Sequence, residues 1–156
     1  MPRRQAPART PPPRNTTALL GMAYMSLGHR IVEGVNAAGF PNRPAHSSVM
    51  AHIDIEGGTR LTTIATRANI TPQAVGELVD DLERLGYVVR QPDSDDRRAK
   101  RIVLTHRGRQ SVAAAFDVIG ALEAELEDLL GSAELAQLHD MLVRIATAVR
   151  KSGDAR

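Results

Sequence analysis

The chain has 156 residues, a formal net charge of +2 and no cysteine. That length supports one domain, or two closely fused pieces, with a real core. Without cysteine there are no disulfides, thiol nucleophiles, thiolate metal sites or thiol redox sensors, a composition compatible with a cytoplasmic location.

No apolar run is long enough to span a membrane, and the start of the chain has no continuous apolar core of a secretory signal. The global charge is small, so its distribution says more. Arg3, Arg4, Arg9 and Arg14 lie in one acid-free stretch, and Arg97, Arg98, Lys100, Arg101, Arg107 and Arg109 lie in another. Local basic clusters suit a polyanionic partner.

Residues 1–15 are rich in Pro, Ala and Arg and carry no apolar period. They read as a disordered basic tail, either a solvated extension or an arm on nucleic-acid phosphates. Residues 16–58 read as N-terminal helices. Thr16 or Thr17 can cap the first, which carries Leu19, Met22, Met25, Ile31, Val32 and Val35 on more than one face and ends near Gly39. The second carries Val49, Met50 and Ile53 and is expected to stop at Gly57-Gly58.

Residues 59–105 carry the densest pattern. Thr62 can cap a short helix with Ile64, Ala65 and Ala68 facing inward. Asn69 stands where a tight turn needs positive φ, and Thr71-Pro72 starts the next helix. Val75, Leu78, Val79 and Leu82 then form one apolar stripe that closes at Gly86. Two β-rich runs follow, Tyr87–Arg90 and Arg101–Leu104, around the charged tip DSDDRRAK. Helix, turn, helix and charged hairpin is the order of a winged helix-turn-helix.

Residues 106–151 read as two further helices. Thr105 caps one with Val112, Phe116, Ile119, Leu122, Leu126 and Leu129 as its apolar positions. Gly131-Ser132 breaks it, and Leu135, Leu138, Leu142, Ile145 and Val149 mark the last. These helices hold more apolar surface than the small reading module can cover, which predicts a homodimer. The fold class is therefore mainly α with a small β-hairpin wing: a winged helix-turn-helix plus a helical dimerisation domain.

The proposed DNA-reading helix begins with Thr71, Pro72, Gln73, Ala74 and Gly76. Gln73 can bond an adenine in bidentate fashion and Ala74 can meet a thymine methyl. Gly76 either lets something approach the helix backbone or packs on a neighbouring helix. The rest of this helix is acidic, which opposes phosphate binding. Asp80 and Arg84 are expected to pair at i, i+4. Asp81 and Glu83 must point away from DNA, and Glu77 either reads cytosine or holds a wing arginine. In the wing, Arg98 is expected in the minor groove with Asp96 orienting it, and Arg97 and Lys100 on phosphates. Thr62 completes the DNA-binding set.

From the reading helix through the wing to LTHRGR, the chain resembles the MarR family of bacterial transcription regulators. The resemblance covers roughly residues 17–150, and its specific elements are LVDDLERLGYV, PDSDDRRAK and LTHRGR. It implies a homodimer on a palindromic operator, often a repressor, with an effector pocket between dimerisation domain and reading heads, commonly for small aromatic or phenolic acids. Many members carry Arg or Lys where this chain has Glu77. Met22, Met25, His29, Arg43, His46 and Met50 are the candidate lining, with Arg43 or His46 meeting a carboxylate. His29, His46, His52, His106 and His139 are too scattered for a metal motif, so no metal or cofactor is expected. No nucleophile–base pair or phosphate loop marks an enzyme. The competing reading is a dimeric ligand-binding or interaction protein that has lost specific DNA binding, supported by the acidic helix.

Overall fold

The computed structural model describes residues 15–93, 96 and 99–154, with side chains described as far as Val149. The elements run α1 (Thr16–Ala37), α2 (Pro44–Met50), β1 (Thr59–Arg60), α3 (Leu61–Ala68), α4 (Pro72–Arg84), β2 (Val88–Pro92), β3 (Lys100–Leu104), α5 (His106–Leu130) and α6 (Ser132–Asp154). The architecture is mainly helical, with one small antiparallel sheet in the order β1-β3-β2.

The cap of α1 is Asn15, one residue before the threonines expected to serve. Its Oδ1 accepts the Ala18 N–H at 2.9 Å, and asparagine is among the strongest N-caps. Pro44 opens α2, which ends at Met50, well short of Gly57. Beyond it the bonds tighten, from the His52 N–H to the Val49 carbonyl and from the Ile53 N–H to the Met50 carbonyl. Thr59 Oγ then receives the Asp54 N–H at 2.8 Å and donates to the Asp54 carboxylate at 3.0 Å, closing the loop that leads into the sheet. Gly58 has φ +66° and lies so close to β3 that a Cβ there would collide with the Ile102 carbonyl.

β1 was not anticipated, because two residues carry no period to read. It pairs Thr59 with Ile102 and Arg60 with Arg101. The chain therefore passes straight from a strand into α3 at Leu61, so Thr62 lies inside the first turn instead of capping it. Asn69 is left-handed, with φ 54°, as the turn requires. Thr71 caps α4 through the Ala74 N–H at 3.2 Å. At the far end Gly86 has φ +75°, and the Tyr87 N–H reaches back to the Leu82 carbonyl.

The hairpin register runs from Val88↔Leu104 to Pro92↔Lys100, so β2 starts one residue after Tyr87. Tyr87 itself is fully buried, and its hydroxyl donates to the Pro41 carbonyl at 2.9 Å. One core joins α2, α3, α4 and the sheet: Val49, Ile53, Ile64, Val75, Val79, Leu82, Tyr87, Val88, Ile102 and Leu104 are all buried in it. Thr105 Oγ accepts the Gly108 N–H and donates to the Gly86 carbonyl, so the cap of α5 is also the joint between the sheet and the long helices.

Those long helices are poorly covered. Leu19, Met22, Tyr24 and Met25 of α1, Phe116 and Leu129 of α5, and Met141, Val143, Ile145 and Val149 of α6 are exposed. Among the described residues, Leu122 and Leu135 are the buried apolar side chains of α5 and α6. Arg30 and Glu125 tie α1 to α5 through paired bonds of 2.7 and 2.8 Å. No helix among the described residues is long and apolar enough to cross a membrane.

Candidate nucleic-acid interface and adjoining cavity

The apolar stripe of α4 is buried, which turns the first turn of that helix outward. Thr71, Pro72, Gln73 and Glu77 are exposed and Ala74 is half-buried. Among the described residues, no atom outside the helix's own neighbouring backbone lies within 4 Å of a Cβ built at Gly76. The glycine is therefore not there to admit a neighbouring helix of this chain. Among the described residues Glu77 accepts from Gln73 Nε2 at 3.3 Å, and the wing-tip arginines it was expected to hold lie outside them. Thr62, Thr71 and Pro72 meet around one open depression between α3 and α4. Thr62 shares a second with Arg60, Arg90 and Lys100.

The acids of α4 are engaged, though not as expected. Arg84 pairs with Asp81 at i, i+3 and not with Asp80. The reason is that Arg90, rising from β2, takes Asp80 at 2.7 Å and also binds Glu83. Its Nη2 lies 3.5 Å from the Gly76 carbonyl as well. Arg90 thus fastens the wing's first strand along the reading helix. Sequence reasoning missed this role, since 83 and 90 lie on different elements with no spacing rule between them.

Asp81 is turned onto α2, where Arg43 and His46 meet it. His46 is buried; its Nδ1 accepts the Arg43 N–H at 3.3 Å, and its Nε2 lies 3.5 Å from Asp81 Oδ2. Burial pushes the imidazole below its ordinary value; the Asp81 hydrogen bond pulls it up and the Arg43 charge down. Burial works to raise Asp81, but the His46 bond and the Arg84 and Arg43 charges outweigh it and hold the carboxyl low.

The wing is organised from its base by a residue the sequence reading passed over. Asp93 is fully buried and accepts from Arg60 Nε at 2.7 Å, with Arg101 Nη1 at 3.9 Å. It also accepts the Asp96 N–H at 3.3 Å, while the Asp93 N–H donates to the Ala99 carbonyl. The available signal was the first acid of DSDD, directly after the β-rich run. Asp96 is exposed, and Lys100 is exposed at the start of β3. Arg97 and Arg98, the expected phosphate and groove residues, lie outside the described residues, as does the basic stretch 1–14.

A cavity of about 430 Å³ opens between α1, α2 and α5. Ile31, Met50, Ile53, Ile55, Phe116 and Ile119 supply most of its wall, and its polar groups are Asn42, Ser47 and Ser111. Of the residues expected to line a ligand site, Met50 lies in the wall of this cavity. Met22 and Met25 are exposed on α1, His29 pairs with Glu33 at 3.4 Å, and Arg43 and His46 face α4.

A helix N-terminus presented beside a sheet-borne charged loop, on a module packed against long helices, defines a winged helix-turn-helix protein. The sequence pattern of the MarR family matches residues 41–99. A structure of the transcriptional repressor CouR bound to a 23-mer DNA duplex is 30% identical over 85% of this chain and 92% of that one, with a TM-score of 0.71. CouR from Rhodococcus jostii RHA1 bound to p-coumaroyl-CoA is 25% identical over 85% and 92%, with a TM-score of 0.68. MarR itself shares the fold, at 22% identity over 94% and 99%, with a TM-score of 0.75. The chain belongs to the MarR family of transcription regulators.

Proposed function

We propose that this protein is a cytoplasmic homodimeric repressor that binds a palindromic operator and is released by a small organic effector in the cavity beneath α2. The observation that carries the DNA-reading part is the first turn of α4. Thr71, Gln73 and Glu77 are exposed, and among the described residues nothing stands where a Cβ at Gly76 would lie. Asp80, Asp81 and Glu83, which argued for a protein without specific DNA binding, are each matched by an arginine. That pairing removes much of the repulsion from phosphates.

In this reading Thr71, Gln73, Ala74 and Glu77 approach bases. Thr62, Arg97 and Lys100 contact phosphates, and Arg98 enters the minor groove with Asp96 beside it. The exposed apolar faces of α1, α5 and α6 support a second copy of the chain as their cover. The DNA complex and the ligand complex of CouR support the two binding events.

The test is a footprint of the purified protein on its own upstream DNA at two salt concentrations. A protected palindrome with steep salt dependence is expected. Weak, sequence-independent binding would return the case to the ligand-binding protein without an operator.

A further inference from the structure

The reading helix α4 carries the acids Glu77, Asp80, Asp81 and Glu83, and the fold treats the first of them differently. Asp80 and Glu83 are held by Arg90, and Asp81 by Arg43 and Arg84. Among the described residues Glu77 meets no cation; it stands exposed in the second turn of the helix, bonded to Gln73. We infer that Glu77 sets the operator specificity of this protein: in each half-site it accepts from the N4 amino group of a cytosine, next to an adenine read by Gln73. The inference rests on the reading that the start of α4 meets the bases.

The contact between the two side chains decides their roles. Gln73 Nε2 lies 3.3 Å from Glu77 Oε1. A carboxylate only accepts, so the amide nitrogen must be the end that faces it. The Gln73 amide then keeps one N–H and its oxygen available, the donor and acceptor that match adenine N7 and N6. Glu77 keeps its second oxygen and its remaining lone pairs, all of them acceptors. The ends of the two side chains are separated by roughly one base step, since bases along a strand rise about 3.4 Å.

An acceptor alone is a demanding reader. In the major groove cytosine offers a donor, adenine a donor beside an acceptor, and guanine and thymine no donor. At guanine or thymine the carboxylate loses its water without replacement, and at adenine it meets the N7 lone pair. Its charge also opposes the phosphates whatever the sequence. Glu77 thus weakens binding to DNA in general and recovers the loss at cytosine, so it discriminates by disfavouring the alternatives. The arginines on Asp80, Asp81 and Glu83 keep the other acids out of that balance.

The experiment selects binding sites from a randomised duplex pool with the full chain and with Glu77→Gln, Glu77→Arg and Gln73→Ala. Each protein is then titrated on the site selected by the unaltered chain and on an unrelated duplex. The unaltered chain is expected to enrich a palindrome with neighbouring adenine and cytosine in each half. Glu77→Gln should change that cytosine to adenine, bind the unrelated duplex severalfold more tightly, and lower the ratio of the two affinities about tenfold. Glu77→Arg should change it to guanine, and Gln73→Ala should relax the adenine and leave the cytosine. Both side chains are exposed, and a variant that enriches a palindrome is folded. A selected site without that cytosine, the same base kept by Glu77→Gln and Glu77→Arg, or a Glu77→Gln protein weakened equally on every duplex overturns the inference. The last is the mark of an acid that only orients the wing. A palindrome whose bases ignore Glu77 leaves the operator reading intact, whereas no enriched sequence from any of the proteins removes the operator reading and the inference together.

Discussion

Asp93 shows how much one side chain can organise. It is fully buried, and its partner Arg60 is 44% exposed, so part of the attraction is screened. Asp93→Ala removes an acceptor from that guanidinium and from the Asp96 N–H. The expected cost is about 2 kcal/mol, read by urea denaturation, with operator affinity falling further than stability accounts for. Arg90 separates the same two quantities. Arg90→Met removes the cation shared by Asp80, Glu83 and the Gly76 carbonyl and returns negative charge to the reading helix. Operator affinity should drop at least about tenfold at low salt, in a filter-binding titration, on a protein that still melts cooperatively. Unaltered affinity would show that those acids never face the phosphates. His46 adds a pH dependence. Its folded value lies below the 6.5 of an exposed imidazole, so the unfolded chain takes up the proton first. Stability is full above about pH 6.5 and declines as pH falls through that value toward the folded one. The lowered Asp81 adds its own loss only in the more acidic carboxylate range. Thermal melts from about pH 7.5 down to about pH 5.5 should therefore fall more steeply for the native protein than for His46→Gln.

At the scale of elements, two glycines that look alike in the sequence do opposite things. Gly58 has positive φ and backs directly onto the Ile102 carbonyl, where β1 joins the sheet. Gly58→Ala should cost about 2 kcal/mol or more, because both the backbone conformation and the close approach are lost. Gly76 lies in the middle of α4, and among the described residues the place a Cβ would take there is open. Gly76→Ala should raise stability by up to about 1 kcal/mol. If DNA comes close to the backbone there, the same substitution weakens operator binding. Paired denaturation and binding curves on the two variants test the assignment, and a stabilised Gly76→Ala protein with undiminished affinity would argue against close approach. The boundaries of α2 and β1 belong to this scale too. Apolar residues at 49, 50 and 53 read as one helix, yet Ile53 reaches the core from a turn beyond the helix end. Burial and helical period coincide over so short a run, and the Asp54–Thr59 closure decides between them.

The whole molecule divides into a well-packed reading module and long helices that leave much of their apolar surface bare. Met25 is 75% exposed and Val149 68% exposed, so neither contributes much to the fold of a single chain. Met25→Glu combined with Val149→Glu should leave the helical content intact and shift sedimentation from dimer to monomer. Operator affinity should fall with it, because two half-sites are then read separately. A pair of substitutions that left the protein dimeric would move the interface to another face.

Local chemistry was sufficient for the reading module. The capping of α4 by Thr71, the left-handed Asn69 and Gly86, the buried stripe on α4 and the α5 cap at Thr105 are all decided within a few residues of chain. Each depends on backbone preference and period alone, so the sequence by itself determined them, and with them the winged helix-turn-helix and its outward-facing helix start. Tertiary structure decided what joins distant segments. Arg90 had to reach α4 before Asp80 could be denied to Arg84, and Arg60 had to enter a strand before Asp93 could be buried against it. Arg43 and His46 had to turn toward Asp81 before they could be kept out of the cavity wall. Such partners are chosen by burial and by competition among neighbouring charges, and neither has a signature in linear spacing.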